Sequence, residues 1–307
     1  MLRYAVRRCA GIVPTLFVIV TAAFLIVRLA PGGPFDQEQT LAPQVRANLE
    51  RAYGLDRPLG VQYLNYLRDL AQGDFGPSLR QPDFTVTELL AQGLPVSLAL
   101  GLMALLPALA VGLALGIAGA LWRAGIADYS GTAFAVLGLA LPAYVTGPLL
   151  ALAFGIGLGW LPAAGWEAGS PRYLVLPAVT LALPVAAAIA RLTRASLLEV
   201  LRANYIRTAR ARGLGAWRVL WRHAMRPALL PVASYLGPAV AHVVTGSLVV
   251  ETVFGLPGTG RYFVQGAINR DYPLVMGMVI VYGSFVLLAN LLTDLLYGWL
   301  DPRVRHE

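Results

Sequence analysis

Apolar residues gather in six long runs, at about 9–29, 94–121, 131–159, 173–190, 228–250 and 273–300. Each is close to or above the roughly 20 residues that carry a helix across about 30 Å of hydrocarbon. Several hold Pro or Gly, which membrane helices accept when neighbouring helices satisfy the freed backbone groups. The pattern predicts an all-α membrane protein with six transmembrane helices.

Two polar stretches between the runs have a period of their own. In the connection from about 30 to 95, QVRANLERAYGLD and PLGVQYLNYLRDLAQGDFG place Leu49 and Tyr53, then Leu64, Leu67 and Leu70, at helical spacing. Gly54 and Gly73 read as helix stops, so a short helical subdomain is expected there. In the stretch 191–231, Leu198, Leu201 and Tyr205 extend the fourth span as a helix with one wet side. Gly213 and Gly215 interrupt it. Trp217, Leu220, Trp221, Ala224 and Met225 then form an apolar stripe opposite Arg218, Arg222 and Arg226, before Pro227 and Pro231. The expected design is helix, glycine break, short amphipathic helix, proline.

Charge sharpens this picture. Charged residues are 13% of the chain and hydrophobic ones 57%, with a net charge of +8, far from the balance of a soluble domain. The stretch 191–231 holds nine arginines (191, 194, 202, 207, 210, 212, 218, 222 and 226) against one acid, Glu199, an excess equal to the net charge of the whole chain. At a helix centre each arginine costs about 2.5–3.5 kcal/mol, so this segment cannot span. The N-terminus begins with Arg3, Arg7 and Arg8, the 30–95 connection is net acidic, and the end carries Arg303 and Arg305. Arginine bias therefore predicts cytoplasmic N- and C-termini, a cytoplasmic basic loop and an external 30–95 connection. The first run is too long for the apolar part of a typical signal peptide and reads as an uncleaved anchor.

Several chemistries are absent. The chain has no lysine, so a GxxxxGK[ST] phosphate loop is impossible. Neither a G-x-S-x-G elbow nor an H-E-x-x-H pair is present. The single cysteine, Cys9, allows no intrachain disulfide. His223, His242 and His306 are scattered. His242 and Asp294 fall inside spans, where an ionisable group is a functional candidate, with packing and helix pairing the competing roles. Neither catalysis nor a bound metal or cofactor is expected. The basic loop could lie on anionic lipid or dock into a cytoplasmic protein. Nucleic acid is disfavoured, because two membrane spans hold the loop close.

YIRTARARGL and RHAMRPALLP resemble the cytoplasmic-loop signature of permease subunits of bacterial binding-protein-dependent ABC importers. GSLVVETVFGLPGTG, INRDYP and NLLTDLLYGWLDPRVR are similar to the peptide-transporting branch, as are MLRYAVRRC, VRLAPGGPF, YGLDRPL and GDFGPS. One departure stands out. The broader family has Glu-Ala-Ala, three residues and Gly, whereas Arg207, Thr208 and Ala209 precede Gly213 here.

The resemblance implies a type I ABC importer transmembrane fold, with residues 94–307 as a five-helix core and 1–93 as the first helix plus the external connection. It implies a coupling loop at 191–226, carried by Tyr205, Arg207, Thr208, Ala209, Arg210, Ala211, Arg212, Gly213, Trp217, Arg218 and His223. Two separate ATPase subunits would bind ATP and Mg, a second homologous permease subunit would complete the pathway, and an external binding protein would deliver peptide. The segment 255–273 reads as an external loop facing that protein, through Gly255, Pro257, Gly258, Gly260, Arg261 and Asp271. Oligopeptides are the expected cargo, with dipeptides, nickel chelates or glutathione as alternatives. An intramembrane enzyme or a passive channel is the rival from another class.

Overall fold

A computed structural model describes residues 2–29, 33–35 and 43–300. The terminal Arg303, Arg305 and His306, and Asp36 and Glu38, lie outside the described residues. The helices are α1 (Leu2–Leu29), α2 (Pro43–Ala52), α3 (Leu59–Ala71), α4 (Val86–Leu121), α5 (Ile126–Ala140), α6 (Ala143–Leu150), α7 (Arg172–Leu201), α8 (Asn204–Ala211), α9 (Ala216–Val219), α10 (Met225–Ala228), α11 (Leu230–Phe254), α12 (Thr259–Ile268) and α13 (Tyr272–Leu300). π-Helical turns follow α6 at Ala151–Gly157 and α9 at Leu220–Ala224.

Five of these helices are long and apolar enough to cross a membrane. The third expected span, 131–159, is not one straight helix. It is α5 followed by α6 with its π-turn, bent by 109°, and counts as a sixth crossing only if the bent pair is taken together. Leu141-Pro142 causes the break: Leu141 (ψ 117°) and Pro142 (ψ 150°) are both extended, as the residue before a proline prefers. Hydropathy sums apolar residues and cannot see this corner. The second span starts earlier than its apolar run, because Thr85 and Glu88 form a reciprocal capping box. Thr85 N donates to Glu88 Oε2 at 2.8 Å, and Glu88 N to Thr85 Oγ1 at 3.2 Å.

The chain divides into two compact units. The first comprises the described residues of Met1–Ile12, Leu98–Leu256 and Phe285–Glu307. Its centre is α7, with 67% of its apolar window buried. Small residues let neighbouring backbones approach it, as membrane helix contacts favour. A Cβ on Gly116 of α4 would lie 2.5 Å from Thr193 Cβ and 2.7 Å from the Ala190 carbonyl. One on Gly138 of α5 would lie 2.8 Å from Ala187 Cβ.

The second unit comprises the described residues of Val13–Ser97 and Pro257–Ser284. The helical subdomain expected in the 30–95 connection is present as α2 and α3, and both predicted stops have left-handed backbone, Gly54 at φ +64° and Gly73 at φ +78°. The packed face of α3 differs from the predicted one. Leu64 is exposed, while Tyr63 and Tyr66 sit 5.2 and 6.0 Å from the Phe24 ring of α1. Val86, Leu89, Leu90, Leu274 and Met278 form one buried cluster of this unit, and Phe35, Leu79 and Tyr272 another.

Candidate coupling site

The basic stretch folds as a helical hairpin on the end of α7. Contrary to the single helix expected through Tyr205, α7 stops at Leu201 and α8 restarts at Asn204, after Ala203 turns extended (ψ 148°). The reset changes the buried face. Ile206 and Ala209 enter the core, and Tyr205 is left half exposed. Partial burial of its ring still raises the phenol above its ordinary value, so it stays protonated near neutrality.

The α8 helix ends on Gly213, whose φ of +79° is the left-handed C-terminal geometry that glycine favours. Gly213 N donates to Arg210 O at 2.9 Å, and Arg212 N to Thr208 O at 3.1 Å. No atom lies within 4 Å of where a Cβ would stand, so the backbone conformation rather than space calls for glycine. Gly215 (ψ 150°) then starts α9. Val219, Leu220, Ala224, Met225 and Ala228 pack with Ile206, Ala209, Leu197 and Ala120 into one buried cluster. The hairpin is thus seated on the ends of α4 and α7 by apolar contact.

Two residues of the expected apolar stripe leave it. Trp217 is 71% and Trp221 50% exposed, their rings edge to face at 5.4 Å. The π-helical turn at Leu220–Ala224 interrupts the 3.6-residue period, and Val219 turns to the core in their place. Arg207, Thr208, Arg210, Ala211, Arg212, Arg218, Arg222 and Arg226 are exposed, and His223 is half buried. Arg210 and Arg212 cluster at the C-terminus of α8, where the helix dipole favours cations. The outcome is an exposed basic surface carrying an aromatic pair, a composition enriched in protein interfaces.

The family described as binding-protein-dependent transport system inner membrane component matches residues 110–306, and its N-terminal companion matches residues 1–99. This chain belongs to that family. The oligopeptide transport system permease protein OppB of Salmonella typhimurium is 48% identical over 306 residues, covering all of both chains. The dipeptide transport system permease protein DppB of Bacillus subtilis is 43% identical over 99% of this chain and 98% of its own. The glutathione transport system permease protein GsiC of Salmonella choleraesuis is 38% identical over the full length of both. Family and helices together make this a multi-pass component of the cytoplasmic membrane.

Elsewhere in this membrane component, the expected external loop is largely a helix, α12, and only part of it is accessible. Gly255 and Arg261 are exposed and Pro257 half buried, whereas Gly258 and Gly260 are buried. Asp271 is fully buried and does not face outward. Its carboxylate accepts the Ser78 hydroxyl, Leu79 N at 3.2 Å and Leu274 N at 3.3 Å, the last capping α13. Arg80 adds a second clasp, donating to Asn269 O and Pro34 O, each at 2.7 Å. Asp271 therefore locks the 257–271 segment to the 30–95 connection.

His242 is exposed on α11 and Asp294 is half buried on α13. Among the described residues, no group of three His, Cys, Asp or Glu could hold a metal ion. Sequence reasoning missed one polar feature: Asp128 of α5 is buried and bonded twice to Arg194 of α7. The apolar run starts only at 131, which left Asp128 outside the span, and Arg194 was counted simply as loop charge. An acid close before an apolar run, read as intramembrane, was the available signal.

Proposed function

We propose that this chain is the membrane-spanning subunit of an ATP-driven oligopeptide importer. Its basic hairpin would be the coupling element that seats in an ATPase subunit. The observation that carries the reading is the 48% identity to an oligopeptide permease across the full length of both chains, against 43% and 38% for the dipeptide and glutathione permeases. The exposed Trp217–Trp221 pair supports the docking role. A large, stiff aromatic pair beside exposed arginines suits a hot spot in a protein groove.

In this reading the chain binds neither ATP nor Mg. Two cytoplasmic ATPase subunits hold them, a second homologous permease subunit forms the other half of the pathway, and an external binding protein supplies peptide. Both termini and the hairpin lie in the cytoplasm. ATP-driven closure of the ATPases moves the hairpin, and α7, continuous with it through the cluster around Leu197 and Ile206, carries the movement into the membrane. The test is the complete complex reconstituted in liposomes, with peptides of two to five residues offered in competition. ATP-dependent uptake of the longer peptides supports the reading. Uptake of dipeptides or glutathione alone favours the nearer rivals, and uptake without ATPase subunits means a channel.

A further inference from the structure

In the first unit, Asp128 joins three elements. Its carboxylate takes a bidentate pair from Arg194 of α7, with Nη2 to Oδ2 at 2.9 Å and the second bond from Nε to Oδ1. The same Oδ2 accepts Ala124 N at 2.9 Å, which holds the turn between α4 and α5, where Ala124 itself has a φ of +58°. Gly119 of α4 faces the pair. A Cβ there would stand 3.3 Å from Arg194 Cδ and 3.4 Å from Asp128 Oδ1. A buried acid tied at once to its own turn and to a neighbouring helix positions those elements. The buried cluster under the hairpin does not include α5, so beside direct helix packing this pair is a polar tie between α5 and the helix that carries the coupling hairpin.

The pair also lines a cavity of about 510 Å³ between α4, α5 and α7, whose other walls include Ala135, Leu139 and Ala190. Arg191 lines the same cavity. It is exposed, lies near Tyr235 and has no carboxylate partner among the described residues. Arg191 and Arg194 are three residues apart on one helix, about 4.5 Å along its axis, and residues so spaced share a face. The two helices approach closely here: a Cβ on Gly138 of α5 would stand 2.8 Å from Ala187 Cβ and 3.0 Å from the Leu183 carbonyl oxygen of α7.

We propose that Asp128 is a two-position latch on α7: Arg194 holds it in the arrangement seen here, and Arg191 takes it when the coupling hairpin draws α7 along α5. A static tie would need only Arg194. A second guanidinium one step along the helix, in a shared cavity, supplies the alternative resting point that makes a slide two-state rather than gradual. Asp128 is then the positioning residue that converts hairpin displacement into a discrete shift of α7 against α5.

The proposal rests on the importer reading, and its test keeps the two apart. Peptide uptake and ATP hydrolysis are measured together on the reconstituted complex, for the wild type, Arg191→Gln, Arg191→Lys, Asp128→Asn and the Arg191→Gln/Asp128→Asn double variant. Complex assembly is checked by copurification. Wild-type complex without ATP-dependent uptake sinks the importer reading itself. If the latch operates, Arg191→Gln assembles normally yet lowers peptide moved per ATP by at least about fivefold, the lower end of typical coupling effects. Arg191→Lys keeps most of it. In the Asp128→Asn background, Arg191→Gln has no further effect, because its partner is already gone. A harmless Arg191→Gln, a Lys variant as poor as the Gln one, or effects that multiply in the double variant would overturn the latch. Should Asp128→Asn fail to assemble, the contrast between Gln and Lys at 191 decides alone.

Discussion

Valine at position 213 is the sharpest test of whether the basic hairpin docks by shape or by charge. Gly213 sits at φ +79° with open space around its missing side chain. A substitution there meets no clash, and its whole effect is conformational. For an ordinary L-residue the left-handed region costs about 1–2 kcal/mol, which reduces the population of the native turn by a factor of about 5–30. Asparagine tolerates this region far better, and a β-branched residue worse than alanine. The expected order of damage is therefore Gly213→Asn, then Ala, then Val. The buried cluster of Ile206, Ala209, Leu220 and Met225 is untouched in all three, so insertion and assembly should persist. Under the proposed function, the assay is peptide-stimulated ATP hydrolysis by the chain reconstituted with ATPase subunits, a second permease subunit and an external binding protein. Gly213→Val should lose most of the stimulation and Gly213→Asn little, while Arg218→Gln, which removes one exposed charge from a field of arginines, should do less than Val. A silent Gly213→Val beside an Arg218→Gln that abolishes stimulation would refute shape docking. It would favour adhesion to anionic lipid, where attraction is about 1 kcal/mol per basic residue and has little directionality.

Orientation can be checked with single cysteines in a Cys9→Ser background and a membrane-impermeant thiol reagent. Asp83→Cys, on the exposed part of the 30–95 connection, should label in intact cells, and Ala216→Cys in the hairpin only after lysis; the opposite result reverses the topology. In the second unit, Asp271→Ala should lower the thermal stability of the complex rather than its docking alone. It strips the acceptor from three buried donors, each costing about 1–3 kcal/mol when unpaired. Exposed Arg261→Glu should instead weaken binding-protein docking with stability unchanged. Equal effects of the two on stability would contradict the burial difference between them.

What could be read from the sequence alone was whatever depends on local sums. Five of the six apolar runs became long helices because transfer free energy adds residue by residue along a helix and needs no partner. The stops at Gly54, Gly73 and Gly213 were legible because left-handed backbone is a property of one residue, and all three do adopt positive φ. The break of the arginine-rich stretch into short helices was legible in the same way, although it comes already after Leu201 and its first arginines, Arg191 and Arg194, lie on the long helix α7. Tertiary structure decided everything that depends on which neighbour arrives. The corner at Leu141-Pro142 splits a run that hydropathy reads as continuous. Val219 takes a buried place while Trp217 and Trp221 stay exposed, and the π-turn from Leu220 adds a register change that an ideal wheel cannot anticipate. Asp271 and Asp128 look alike in sequence, as lone acids beside apolar helices. Their roles were set by Ser78, 193 residues away, and Arg194, 66 residues away. A charge declares its cost in the sequence, but only the packed chain supplies the partner that offsets it.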